Sequence, residues 1–499
     1  MPFRFPWSAP SSARLNRRRM LRLLAAGAGA AAVGGAIRPA RPAAPPPKFA
    51  IIVGGFGGAS IIDSFLAIRE SECSNAPTVN CFPDAEVLDV AGSPLRAVNL
   101  SRPNIGPLPF PVSTDQKSFV DAHKDEMAVL TWTTTSVNHT VGQKRSMTGN
   151  NAWAGRTLAE CVALQYGEGY PMPNVNMATT GYAERGEDGE LPSYCYAEPV
   201  ALPKQWPLSL DGMRGIQGAP DREIVDIARE LRDARLDPET AFYRTFQASQ
   251  VLGRWKQQRE AGYSLEERDL ITKLNMFEEG PDYPLGAYGL ASSPDAALIA
   301  QTFPLYLVDP LEAQAALAFL LIKHKVSVTV TLASTFGLVT DDQKLLNPPL
   351  AFDFSHNAHR ATQAAMWQRT LNLVHRLIGL LKNEEFDATT GESLWDRTMI
   401  YVATDFGRTK NRGAGEDDFG SGHDLNNGVL VLSPFINGNR IFGGVDKATG
   451  MTHGFDPLTG AEDPGREMRE DEIFAAMVAA LDLDTTGAGL PAVPVLKKG

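Results

Sequence analysis

Residues 49–53 (FAIIV) form a short apolar run that stops at 54–58 (GGFGG). A run of that length bounded by glycines predicts a buried strand ending in a Gly-rich turn. The same kind of pattern predicts strands at 127–132 (MAVLTW), 326–332, 398–403 (TMIYVA) and 428–432 (GVLVL). Apolar positions at helical spacing predict helices at 157–165, 311–323, 362–382 and 471–481. Strands alternating with helices point to an α/β fold, a mostly parallel sheet sandwiched by helices. Residues 166–220 are rich in Gly, Pro and Tyr and lack periodicity, whereas 221–231 and 240–260 are charged and amphipathic. The latter predict a helical insertion, bounded at 200–285, that caps the site. No internal repeat interrupts this picture.

The N-terminus has a different character. Residues 1–43 hold Arg4, Arg14, Arg17, Arg18, Arg19, Arg22, Arg38 and Arg41 and no acid. A basic segment followed by a mildly apolar Ala/Gly run reads as an export signal. Its arginine pair, with Leu21 close behind, is similar to a twin-arginine signal. Residues 1–47 are therefore expected to be this signal plus a Pro-rich spacer, with one domain over 48–499. The protein is expected in the periplasm or secreted, with the twin-arginine export machinery as a partner.

Composition narrows the classes. The chain has 499 residues, 43% hydrophobic and 21% charged, ordinary values for a globular protein. No stretch of about 18 strongly apolar residues follows residue 50, which argues against a transmembrane span after the signal. The net charge is −11 even with the basic leader counted, so the body repels phosphate backbones and nucleic acid is excluded as a partner. Cys73, Cys81, Cys161 and Cys195 suit an oxidising compartment. Cys73 and Cys81 flank a short Asn/Pro loop and are able to close on each other, but three pairings remain open.

Ligands of open α/β sheets bind at the carboxyl ends of strands. After the first strand come Ser60 and Asp63. After 127–132 come Thr133, Thr134, Thr135, Ser136, Asn138 and His139. After 326–332 come a loop and then Asp353, His356 and His359. After 398–403 come Asp405 and Arg408, then His423 and Asp424. Carboxylate oxygen with imidazole nitrogen suits zinc or a similar divalent ion, calcium and magnesium being the alternatives. A hydroxyl in 133–136 is a candidate nucleophile beside such a metal, and Arg408 a candidate clamp on an oxyanion. Singly, each also fits an ordinary role: a strand end, a helix N-cap or a surface charge.

Several segments carry a resemblance: the GGFGG turn, NHTVGQKRSMTG (138–149), WAGRTLAE (153–160), FDFSHNAH (352–359), TDFGRT (404–409), SGHDLNNGVLVL (421–432) and EIFAAMVAALDLD (472–484). The chain resembles a twin-arginine-exported bacterial family, of unassigned activity, in the alkaline phosphatase/sulfatase superfamily. The resemblance spans 49–484, except about 165–300. It implies an alkaline phosphatase-like sheet with metals at the strand ends, and hydrolysis of small-molecule or glycan phosphate or sulfate esters. TTTSVNH (133–139) is also similar to the nucleophile segment of nucleotide pyrophosphatases/phosphodiesterases, which implies Thr135 as nucleophile. Asp353 with His356 or His359, plus His423, would match the first metal site, and Asp405 the second-site carboxylate. The superfamily's acid after the first strand falls at Gly57, and Asp405 is followed by Phe406 rather than His. One metal, or none, is the expectation. The alternative is a catalytically impaired relative that binds or assembles envelope components. A transferase that passes its group to an alcohol is a third option.

Overall fold

The computed structural model describes residues 46–99, 108, 110–210, 220–249, 252, 268–333, 351–413 and 419–499. The segment expected to be an export signal lies outside these residues, save Pro46 and Pro47, as do residues 334–350, expected as a loop.

Eight strands form the central sheet: β1 (Phe49–Gly55), β2 (Met127–Thr133), β3 (Asn174–Asn176), β4 (Glu198–Pro199), β5 (Thr329–Ala333), β6 (Thr398–Thr404), β7 (Asn426–Leu432) and β8 (Arg440–Phe442). Their order across the sheet is β8-β2-β7-β6-β1-β5-β3-β4. Every pairing is parallel except those of β7, which runs against both β6 and β2. The α/β class read from the sequence is therefore the fold observed. β1, β6 and β7 are buried along their whole length, which is why they read as continuous apolar runs rather than alternating ones.

The helices named below are α1 (Gln116–His123), α2 (His139–Thr148), α3 (Leu158–Tyr166), α4 (Arg222–Leu231), α5 (Pro310–Lys323), α6 (His359–Asn383) and α7 (Glu470–Ala480). α5 is apolar all round because it is buried all round, from Leu311 to Ile322. It packs on β5 and α6, while α3 packs on β1 and β5, α2 on β6, and α7 on β2. Side chains cap their N-termini: Asn138 accepts from the Val141 amide, Thr157 from Glu160 and Asp309 from Leu311.

The strand expected at 326–332 begins only at Thr329. Lys325 takes a left-handed turn (φ 53°) as the chain leaves α5, and the Val328 carbonyl is already paired with the Ala50 amide. Within 200–285, α4 continues through a wide turn (Arg232–Leu236), and shorter helices follow at Ala241–Phe246 and Leu270–Leu274. Ile224, Ile227 and Leu231 on α4 are exposed. Among the described residues no helix is long and apolar enough to cross a membrane.

Register places the site. Gly55 ends β1 opposite Thr404 at the end of β6, and Asn426 begins β7 opposite Thr133 at the end of β2. The reversed strand thus brings its own start to the edge where its parallel neighbours finish. Residues after β1, β2 and β6, and those just before β7, share that edge.

Candidate metal centre

Four segments meet there. A 3-10 turn, Phe352–His356, carries Asp353 and His356. The loop after β2 ends at Asn138, so His139 is the first residue of α2. After β6 come Asp405 and then Gly407-Arg408, which pairs antiparallel with His423-Asp424 just before β7. The glycine turn after β1 is the floor. Gly57 has φ 102°, and a Cβ there would lie 2.1 Å from the Asp353 amide nitrogen. No side chain fits at position 57 without moving that turn.

His139, Asp353 and His423 each point a potential ligand atom inward, all within 4.8 Å of one another. Asp353 Oδ1 lies 3.4 Å from His139 Nε2 and 3.7 Å from His423 Nε2. His356 adjoins them, its Nε2 being 3.4 Å from Asp353 Oδ1 and 2.9 Å from His423 Nε2. The outer ring nitrogens are engaged. His139 Nδ1 donates to Asp405 Oδ2 at 2.9 Å, and His423 Nδ1 donates to the Val137 carbonyl at 2.8 Å. In that tautomer a neutral ring carries its lone pair on Nε2, facing the Asp353 carboxylate. Such a facing is repulsive alone and attractive around a cation. The distances bracket the edge of about 3.3 Å expected between ligands of a tetrahedral zinc-type ion. Burial, together with Arg408 and the neighbouring imidazoles, holds His423 below the ordinary imidazole value despite its bond to Val137, so it stays in the neutral, metal-binding form. His356 is the ligand nearest solvent, its side chain 43% exposed.

Asp405 stands behind the cluster rather than in it. It is fully buried, and four donors occupy it: the Gly57 amide, His139 Nδ1, Gln143 Nε2 and the Tyr182 hydroxyl, the last at 2.6 Å. The resulting carboxylate–imidazole pair holds the orientation of the His139 ring, whose Nε2 faces Asp353. Burial and the adjacent Asp405 push the Tyr182 phenol well above its usual range, so it stays a donor. Arg408 is also fully buried. It donates to Asp353 Oδ1 at 3.0 Å and to the carbonyls of Gly57, Gly58, Phe352 and Ser421. Burial pushes it down to about 10, still a cation at neutral pH. It clamps the protein's own ligand-bearing turns rather than an external oxyanion.

The remaining candidates fall elsewhere. His359, the first residue of α6, is fully buried and bonds Asp63 Oδ2 through Nε2 (2.9 Å) and Ser421 Oγ through Nδ1 (2.7 Å). Burial pushes the Asp63 carboxyl up, but His359 beside it outweighs this and holds it below the usual carboxylate range. This chain lies behind the ligands, since the Ser421 amide donates to the Ser355 carbonyl and the His359 amide to Phe419. Thr135 is exposed. Its hydroxyl donates to Glu470 Oε1 and accepts from Arg145 Nη1, both at 2.7 Å. Ser136 Oγ accepts the Asn138 amide, and Asp424 Oδ1 accepts the Asn426 amide. Sequence reasoning did not single out Gln143 and Tyr182. Tyr182 lies in the aperiodic 166–220 stretch, where nothing marks one tyrosine among several.

Comparison with models of known protein families and with curated proteins gives no match.

Proposed function

We propose that the chain is an exported, metal-dependent hydrolase of phosphate or sulfate esters on an alkaline phosphatase-like fold. One observation carries this reading: His139, Asp353 and His423 bring donor atoms within 4.8 Å of one another at the ligand-binding edge of the sheet, with His356 beside Asp353 and His423. Two imidazoles and one carboxylate, with the His356 ring adjoining, make a donor set suited to zinc rather than to calcium or magnesium, which take oxygen ligands. A divalent cation held there supplies the positive charge that phosphoryl and sulfuryl transfer require.

The protein's own groups divide the other tasks. Thr135 lies two residues before Val137, whose carbonyl holds His423. Its hydroxyl attacks phosphorus or sulfur as the ester's P–O or S–O bond breaks and the alcohol leaves as its oxyanion. Glu470, already accepting from the hydroxyl, takes the proton, and water then cleaves the Thr135 ester to release phosphate or sulfate. Arg145, at the same oxygen, offers charge to the anionic ester. Arg408 keeps Asp353 in place. The second reading, a catalytically impaired binding or assembly protein, draws support from Gly57 and from the full engagement of Arg408.

Metal analysis joined to turnover of aryl phosphates and aryl sulfates, with and without zinc, tests both. The hydrolase reading expects stoichiometric zinc, and Thr135→Ala should lower turnover about a thousandfold with the metal retained. Unchanged turnover in Thr135→Ala removes Thr135 as nucleophile. Zinc bound without turnover of either ester selects the binding protein, and failure to bind any divalent metal defeats the metal centre itself.

A further inference from the structure

Cys73 and Cys81 bracket a surface loop in which Ser74, Asn75, Pro77 and Thr78 are exposed. Both cysteines are tucked beneath it, packed in one small apolar cluster with Ile68 and Val79, and the Cys81 thiol donates to the Ala76 carbonyl within the same loop at 3.6 Å. The other two cysteines are set differently. Cys161 lies on α3 within the main core, whereas Cys195 belongs to a separate small cluster with Ala163 and Leu191.

The loop is tied to the back of the metal centre. The Asn80 amide donates to the Lys410 carbonyl at 2.7 Å, and the Arg412 amide to the Thr78 carbonyl at 2.9 Å. Asn80 Nδ2 donates to Asp63 Oδ2 at 2.9 Å and meets His359 Nε2 at 3.1 Å. Arg360, beside His359 on α6, donates to the Cys81 carbonyl. His359 in turn holds Ser421, two residues before His423. The backbone around Cys81 therefore braces the segments that carry His356 and His423.

We propose that Cys73 and Cys81 form a disulfide when the folded chain meets an oxidising small-molecule disulfide, that Cys161 and Cys195 remain thiols, and that the bridge stiffens the brace behind the metal centre. The effect on the metal rests on the metal-centre reading above; the pairing does not. Cys73 is the more exposed of the two, 7% against 0% for Cys81, and burial pushes the Cys81 thiol up to about 11. Cys73 thiolate attacks the external disulfide and expels one thiolate. Cys81 then attacks the mixed disulfide and expels the second. Two protein thiols are oxidised, one external disulfide is reduced to two thiols, and the two protein protons pass to them. Cys161 and Cys195 are 1% and 0% exposed, so neither offers an external disulfide an attacking thiol as the 7% exposed Cys73 does, and the exchange cannot begin at that pair.

The test uses the full-length protein, folded, incubated with oxidised glutathione, then denatured, thiol-blocked and peptide-mapped. The expected product has lost two hydrogens, links the peptides of Cys73 and Cys81, and keeps Cys161 and Cys195 free. In parallel, zinc loss to a chromophoric chelator should be about tenfold slower from the oxidised than from the reduced protein. The Cys73→Ser/Cys81→Ser double variant should lose zinc at the reduced rate under both conditions. A bridge that includes Cys161 or Cys195, or four free thiols, overturns the pairing. Equal zinc loss in both redox states overturns the brace. Absence of zinc from both states overturns the metal reading instead, while the thiol map still decides the pairing.

Discussion

Asp405 shows how little of a residue's role is carried by its identity. An aspartate just after a strand in an α/β sheet is a natural candidate ligand, and its neighbours in sequence do not say otherwise. Four donors, two of them from Gln143 and Tyr182, turn it into the partner of a histidine instead. The distinction is measurable. Asp405→Asn cannot accept all of these bonds and should release the His139 ring from its orientation. Zinc affinity should fall about 10- to 100-fold in a competitive chelator titration, while the stoichiometry at saturation stays unchanged. Removing a ring of the cluster itself, as in His423→Ala, should reduce the stoichiometry. His359 gives the opposite lesson. It fits the same local pattern as His356, three residues earlier, yet helical geometry turns the first residue of α6 inward onto Asp63 and leaves His356 on the turn facing solvent.

Elements set the spacing of these groups. α2 approaches the end of β6 so closely that a Cβ at Gly142 would lie 2.5 Å from the Asp405 carbonyl oxygen. Gly142→Ala must shift the helix that carries His139. The expected result is a loss of about 1–3 kcal/mol in urea unfolding of the metal-free protein, from overpacking. Weaker zinc binding should accompany it, with the helical circular dichroism preserved. At this scale the sequence was readable where burial imposed a simple pattern: β1, β2, β6, β7, α5 and α6 all fell within a few residues of their expected places. It was less readable where chain direction mattered. The apolar run that became β7 does not say which way the strand points, and that direction puts His423 at the same edge as His139 and Asp353.

For the molecule as a whole, the titrating groups behind the sheet set acid sensitivity. His123 on α1 and His375 on α6 are bonded ring to ring at 2.9 Å. Burial, with His375 and Lys382 adding to it, pushes His123 down to about 3 from 6.5. A histidine held neutral in the fold takes up protons more readily when unfolded, so its stabilising effect is complete above about 6.5 and is lost as the pH falls toward 3. Urea midpoints of the metal-free protein should fall through that window, and His123→Gln should flatten the fall. The global architecture was legible because alternation of strand and helix is a property of the whole chain. The meeting of four segments was legible only in part, because convergence depends on register and on backbone contacts that no residue type announces.

The corner formed by Gly57 and the Asp353 main chain constrains what can be engineered there. Once the backbone of the 352–356 turn rests against an unsubstituted Cα, an acid at position 57 is no longer one substitution away. A carboxylate there would need a differently routed 352–356 turn, so the position and the turn are adjustable only together.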